Sequence, residues 1–422
     1  MRVRPLALGS LAVTNALLSV AFQWVVLTRL GAARATDAYF AAGTVPTLLI
    51  AVMSGALGNV LVPLLAVESE AGRRKLGWVF VALVGGALGA LALVLGLSAG
   101  WWVPWIVPGF SAEEAELAAL LTRYNLAGAV LAGIAGVQWA VLYAQRRFAV
   151  AETAPVVAGL VALAALAWAL PRWGVLGAAW AGLVRSALPV LLLAPLLGEP
   201  GDLAGARVQI REAWQRFRPL LGASLYTKSD ALVDRALASF APAGLLALYG
   251  LAQQLYSLGH TVLNRAVAAP ALPGLAEDAA AGRWQAFGAG ARRIAVTLAA
   301  ATVGTGLVLA ALGAPILAWG ASGRLEPGDA RTLWLLFLAL SGVWVCGAIG
   351  QVTSGGFYAM GDTRTPTRVA VVSFTVAIVL KVLAFVRWGL WGVAGVTSAH
   401  YVANAAIIGG LLSRRIARAR SG

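Results

Sequence analysis

The chain has 422 residues, 60% of them hydrophobic and 12% charged, with 32 Lys and Arg against 17 Asp and Glu for a formal charge of +15. Soluble domains carry about a quarter charged residues, so this balance excludes one and places the chain in a bilayer. The positive charge sits in short runs between apolar segments rather than along one basic face, which argues against a nucleic-acid partner and marks the runs as topology signals.

Taken in chain order, apolar stretches of about 20 residues, each able to cross a hydrocarbon core of about 30 Å, predict twelve transmembrane helices. They cover 6–28, 38–66, 76–100, 122–144, 154–170, 174–197, 218–240, 243–266, 294–318, 332–357, 368–386 and 389–413. The first begins like a signal peptide, but its apolar run is longer than the roughly 7–15 residues of a cleaved one, so it is read as a span. The second carries Pro46, Gly55, Gly58 and Pro63, a density that predicts bending or close helix approach. After the third, Trp101, Trp102 and Trp105 are placed to anchor in the headgroup layer. Pro108 to Leu120 then reads either as a short interfacial helix capped by Ser111 or as a solvated connector.

The two tails and the connections 67–75, 145–153, 198–217, 267–293 and 358–367, with the flanking Arg218 and Arg368, hold twenty of the 32 basic residues, against seven on the opposite side and five within the helices. Both termini are therefore expected in the cytoplasm. Arg172-Trp173-Gly174-Val175-Leu176-Gly177 is echoed 215 residues later by Arg387-Trp388-Gly389-Leu390-Trp391-Gly392, and Glu152-Thr153-Ala154-Pro155 near 210 residues later by Asp362 to Pro366. The echoes predict an all-α integral membrane protein of two six-helix lobes, 1–205 and 206–422. Since six is even, the repeat is parallel, and such a pair of bundles encloses a central cavity unless the repeat is a duplication for packing alone.

Charges inside a membrane are rare unless they face protein, water or substrate. In the seventh span, at about 100° per residue, Lys228 and Arg235 fall on one stripe and Asp230 and Asp234 on another. This arrangement suits a substrate or gating site ahead of the alternative, an interhelical ion-pair network. Lys381 in the eleventh span lies at a depth that pairs it with Asp230 or Asp234. His260 and His400 stand alone in helices and read as core residues, and the one cysteine, Cys346, lies in an apolar segment. No Walker A loop, Gly-x-Ser-x-Gly elbow or His-Glu-x-x-His motif occurs, so neither enzyme chemistry nor a cofactor is expected, and energy comes from ions or membrane potential.

Several segments resemble the MurJ/MviN family of bacterial lipid II flippases, within the superfamily of multidrug and oligosaccharide-lipid exporters. They are Gly31 to Phe40, Val62-Pro63, Pro108-Gly109-Phe110, Arg147-Phe148 to Pro155, Val233 to Ser239, Gly356 to Ala359 and Asp362 to Pro366. The resemblance implies a MurJ/MATE-like fold in the bacterial cytoplasmic membrane and a monomer working by alternating access. Its cavity would take the polar head of a polyprenyl-linked glycan. It implies fourteen helices in typical members, the last two grooved for a lipid tail, against the twelve read here. Where the family places cavity arginines, this sequence has Ala16, Phe22, Ile50, Ala51 and Gln254, while Asp37 is retained. The candidate substrate contacts are accordingly Asp37, Arg185, Lys228, Arg235 and Gln254. At the family's sodium site Asp234 matches the aspartate and Lys381 replaces an asparagine, so an ammonium stands in for the cation, with Thr397 and Asn404 left to helix packing. Flipping of an anionic polyprenyl-linked glycan is the leading expectation; small-molecule export and a non-transporting scaffold are the rivals.

Overall fold

The computed structural model describes residues 5–199, 205–263, 269–320 and 323–421; Arg2, Arg4, Arg265 and the side chain of His260 lie outside what is described. Among the described residues the chain is helical throughout and has no strand. It divides into two compact units, Met1–Ala247 and Leu248–Gly422.

The first unit holds α1 (Pro5–Leu30), α2 (Arg34–Ala42), α3 (Thr44–Ala66), α4 (Glu70–Leu97), α5 (Ala99–Ile106), α6 (Ala112–Ala144), α7 (Phe148–Trp173), α8 (Val175–Leu193), α9 (Arg207–Lys228) and α10 (Asp230–Ser239). α11 (Leu245–Leu263) starts at the unit boundary. The second unit continues with α12 (Ala269–Ala280), α13 (Trp284–Gly320), α14 (Pro327–Ala339), α15 (Ser341–Ala359) and α16 (Arg364–Ser421), the last two helices joined across a non-helical Gly389. The packed division differs from the repeat-based one at 205/206 because α9 sets Ala213, Ile210 and Phe217 into the Leu- and Val-rich core of α3, α4 and α6.

Nine helices among the described residues are long and apolar enough to cross a membrane, and the segment 364–419 covers two of the twelve expected spans. The expected spans 218–240 and 243–266 have no counterpart among the nine. The first is broken at Ser229, and the second is described as helix only to Leu263. At Ser229 the hydroxyl donates to the Tyr226 carbonyl at 2.7 Å, a local bond that competes with helix continuation. Lys228 and Arg235 therefore do not share the stripe that a continuous helix predicts. The interfacial helix expected before the fourth span is also not separate. Ser111 does cap it, in a capping box with Glu114, but the helix runs on without a break to Ala144.

The bend expected in the second span falls between α2 and α3 at Gly43. Pro46 lacks an amide proton and cannot bond the Ala42 carbonyl, so it is tolerated only in the first turn of a new helix. The Thr122 hydroxyl, 2.7 Å from the Ala118 carbonyl, lies 3.4 Å from the Ala42 carbonyl that Pro46 leaves open. Thr122→Val is expected to lower stability by about 1 kcal/mol. Thermal unfolding of the detergent-solubilised protein checks this, and an unchanged midpoint would assign the freed carbonyl another donor.

The repeat is structural, and its offset is 215 residues at both places where the sequence echoes. Gly174 (φ +54, ψ −133) and Gly389 (φ +58, ψ −146) hold the same left-handed backbone, which is essentially closed to other residues. Three residues on, a Cβ at Gly177 would lie 2.5 Å from the Ala169 carbonyl oxygen, and one at Gly392 would clash with that of Ala384. Upstream, Arg146 (φ +59) and Gly361 (φ +74) end their helices in the left-handed region. There Arg147 donates its amide to the Leu142 carbonyl at 2.8 Å, as Asp362 does to that of Phe357 at 2.9 Å. Glu152 and Asp362, aligned at an offset of 210, have different tasks. Glu152 is buried in α7 and accepts from the Tyr143 hydroxyl at 2.5 Å. Asp362 caps α16 from outside, and the amide and hydroxyl of Thr365 hold its carboxyl below the usual aspartate range.

Candidate functional site

Three of the segments singled out by sequence, 31–40, 108–110 and 233–239, converge at one end of the first unit. α1 ends at Gly31, and Asp37 in α2 is fully buried. One carboxylate oxygen of Asp37 accepts from the Gly244 amide at 2.7 Å and the other from the Ala247 amide at 2.8 Å. These amides open the first turn of α11, whose unpaired N–H groups and positive dipole end favour an anion. Gly244 is required for the contact: its φ is +85, and a Cβ there would lie 2.5 Å from the backbone of Ala32.

Beside this cap the Gly109 amide donates to the Ser239 hydroxyl at 2.9 Å, and a Cβ on Gly109 would meet the backbone of Ser239 and Phe240 at 2.5–2.6 Å. Arg34 bridges the two arms, its Nη1 3.9 Å from Asp37 and its Nε 3.4 Å from Glu114, the residue that closes the capping box of α6. Arg235 on α10 is half-buried and near enough to act on Asp37 electrostatically. The glycines let the backbones meet and the Asp37 carboxylate locks them, so this end of the unit is held together by main-chain groups.

The other charges singled out by sequence are dispersed. Arg185 on α8 donates to Asn15 and Ser19 on α1. Lys228 ends α9 exposed, and Asp230 is half-buried at the start of α10. Asp234 on α10 is 2% exposed in the first unit, and Lys381 on α16 is 1% exposed in the second. Gln254 sits half-buried on α11, and Thr397 is buried on α16 while Asn404 accepts from Ser373 at 3.3 Å. Of the tryptophans expected as anchors, Trp101 and Trp105 are exposed, at 74% and 76%, whereas Trp102 donates to the Leu95 carbonyl at 2.9 Å.

Sequence reasoning missed Gly244, the Arg34–Glu114 link and the partners of Arg185. Of these only the last had a signal: Asn15, Ser19 and Gln23 recur every four residues in an otherwise apolar helix.

In the second unit a cleft of about 540 Å³ runs between the two halves of α16, lined by Val372, Val376, Leu380 and Ile407, with Arg368, Ser373 and His400 as its polar members. Tyr256, Phe337 and Trp344 form an aromatic cluster in the same unit, with the tyrosine hydroxyl donating to the Phe337 carbonyl.

The fold is shared with solved transporters. A structure titled "Lipid II flippase MurJ, inward closed conformation" superposes with a TM-score of 0.82 at 18% identity, over 95% of this chain and 86% of that one. An inward-facing multidrug resistance MATE family transporter of the MOP superfamily gives 0.77 at 16% identity, over 98% and 99%. Among curated relatives, the probable lipid II flippase MurJ of Vibrio cholerae is 26% identical over 414 residues, covering 91% of this chain and 77% of the relative. The lipid II flippase MurJ of Burkholderia cenocepacia is 25% identical over 402 residues, covering 90% and 76%. The family model described as "Lipid II flippase MurJ" matches residues 26–420, and the chain, a multi-pass membrane protein, belongs to that family.

Proposed function

We propose that the protein carries an anionic polyprenyl-linked glycan, lipid II or a close relative, across the cytoplasmic membrane by alternating access. The observation that carries this reading is the family match over residues 26–420, which spans both halves of the repeat. Two lobes rock, both termini face the cytoplasm, and the protein acts as a monomer. Asp37 acts by holding the outer end shut rather than by touching substrate, since both its oxygens are engaged. Arg185, Lys228, Arg235 and Gln254 supply the polar contacts. The absence of arginine at Ala16, Phe22, Ile50 and Ala51 favours a second reading, export of a smaller amphipathic molecule in the manner of the MATE transporters whose fold it shares.

Depletion in the native host, followed by mass spectrometry of polyprenyl-linked lipids and labelling with a membrane-impermeant probe, tests the two. Accumulation of one diphosphate-linked glycan on the cytoplasmic face supports the flippase and names its cargo. An unchanged lipid profile moves the function to small-molecule export.

Asp234 and Lys381, each buried within its own unit, are proposed as gating residues, with the Lys381 ammonium making a coupling cation unnecessary. Lys381→Ala is expected to abolish transport, and wild-type transport in proteoliposomes is expected to be the same with and without sodium. Full transport by Lys381→Ala, or a sodium requirement of the wild type, rules this role out.

A further inference from the structure

α1 is apolar for most of its length, yet Asn15, Ser19 and Gln23 stand one turn apart along one side of it. Arg185 reaches that stripe from α8. Its Nη2 donates to the Ser19 hydroxyl at 2.5 Å and to the Asn15 side-chain oxygen at 3.2 Å, with the Asn15 carbonyl at 3.5 Å. Tyr39 on α2 lies close enough to feel its charge. All of these partners are neutral: among the described residues no carboxylate comes within ion-pair distance of Arg185.

The remaining two guanidinium nitrogens, Nε and Nη1, donate to nothing among the described residues, and neither is sealed from open space. A cation held inside a membrane without a counter-charge, with two of its three nitrogens unused, is complete only when an oxyanion arrives.

We propose that Arg185, positioned by Asn15 and Ser19, is the oxyanion-binding residue of the first unit, and that it takes the phosphate or diphosphate of a lipid-linked substrate. Neutral oxygens on α1 hold in place an arginine that projects from α8. This assignment rests on the flippase reading but is separable from it. Lysine is a poor substitute, because it carries the charge without the planar fork.

The test is binding to the purified full-length protein in nanodiscs, with undecaprenyl diphosphate-linked N-acetylglucosamine, undecaprenyl diphosphate, undecaprenol and oleate as probes. The wild type is expected to prefer the two diphosphates over undecaprenol. Arg185→Gln should weaken diphosphate binding about ten- to a hundredfold and Arg185→Lys by an intermediate factor, with undecaprenol binding unchanged. Asn15→Ala and Ser19→Ala should act as weaker copies of Arg185→Lys, as positioning residues do.

An Arg185→Gln protein that melts like wild type and binds the diphosphates as tightly overturns the assignment and leaves the flippase reading standing. Oleate binding that matches the diphosphates and falls equally with Arg185→Gln assigns the fork to carboxylates and overturns the phosphate. A wild type with no preference for diphosphate over undecaprenol removes both the site and the proposed cargo.

Discussion

Replacing Asp37 with alanine is expected to destabilise the first unit by about 2–6 kcal/mol, since it strands two buried amide donors at roughly 1–3 kcal/mol each. The carboxylate that accepts from Gly244 and Ala247 also faces the positive end of α11, so the loss exceeds that of two neutral hydrogen bonds. Asn is expected to fall between, because its single oxygen serves one amide while its NH2 group meets the other. Thermal unfolding in detergent measures the order wild type, Asn, Ala. A functional assay adds a second readout: if the cap also keeps one end of the transporter shut, Asp37→Asn impairs transport beyond its loss of stability, and a cysteine in place of the buried Ser239 becomes more reactive to a soluble maleimide. An alanine variant as stable as wild type, with that cysteine equally protected, would reduce Asp37 to a packing residue.

The second large effect is expected at the paired glycines of the repeat. Gly177→Ala drives a methyl to 2.5 Å from the Ala169 carbonyl oxygen, and Gly392→Ala does the same against Ala384, in each case against backbone that cannot rotate away. Overpacking of this kind costs about 1–3 kcal/mol or more. At Gly174 and Gly389 nothing lies within 4 Å of an added Cβ, so alanine there is penalised by backbone conformation alone, about 1–3 kcal/mol. The informative comparison is between equivalent sites. Equal penalties at 177 and 392, and at 174 and 389, are expected if the two halves retain one local design; a severe loss in one half and tolerance in the other would show that its twin has been relaxed by different neighbours. Expression level and melting temperature of the four single variants decide this.

Much of this protein was determined by sequence alone. Membrane residence follows from composition, because a bilayer forces every backbone group to be satisfied within a helix and leaves apolar side chains as the only cheap surface. The helical hairpins at 172–177 and 387–392 were legible because glycine is the only residue that adopts their backbone, so the constraint is written in one residue type. Ser111 announced its cap for the same reason: capping is local, and its partner Glu114 lies one turn away.

Tertiary structure decided the rest, wherever a side chain is completed by a group far off in the chain. Nothing near Asp37 in sequence shows that it caps residues more than 200 positions later, and Gly244 has no meaning until Ala32 is packed against it. The break at Ser229 undid the stripe inferred for Lys228 and Arg235, since a helical wheel holds only while the helix is unbroken. Placement of α9 with the first unit came from Ala213, Ile210 and Phe217 filling a core built by α3, α4 and α6, a matter of shape that periodicity does not encode. Arg185 belongs to both classes. Its charge in an apolar span was visible at once, whereas its neutral partners and unused nitrogens depend on α1 and α8 lying side by side, which packing alone specifies.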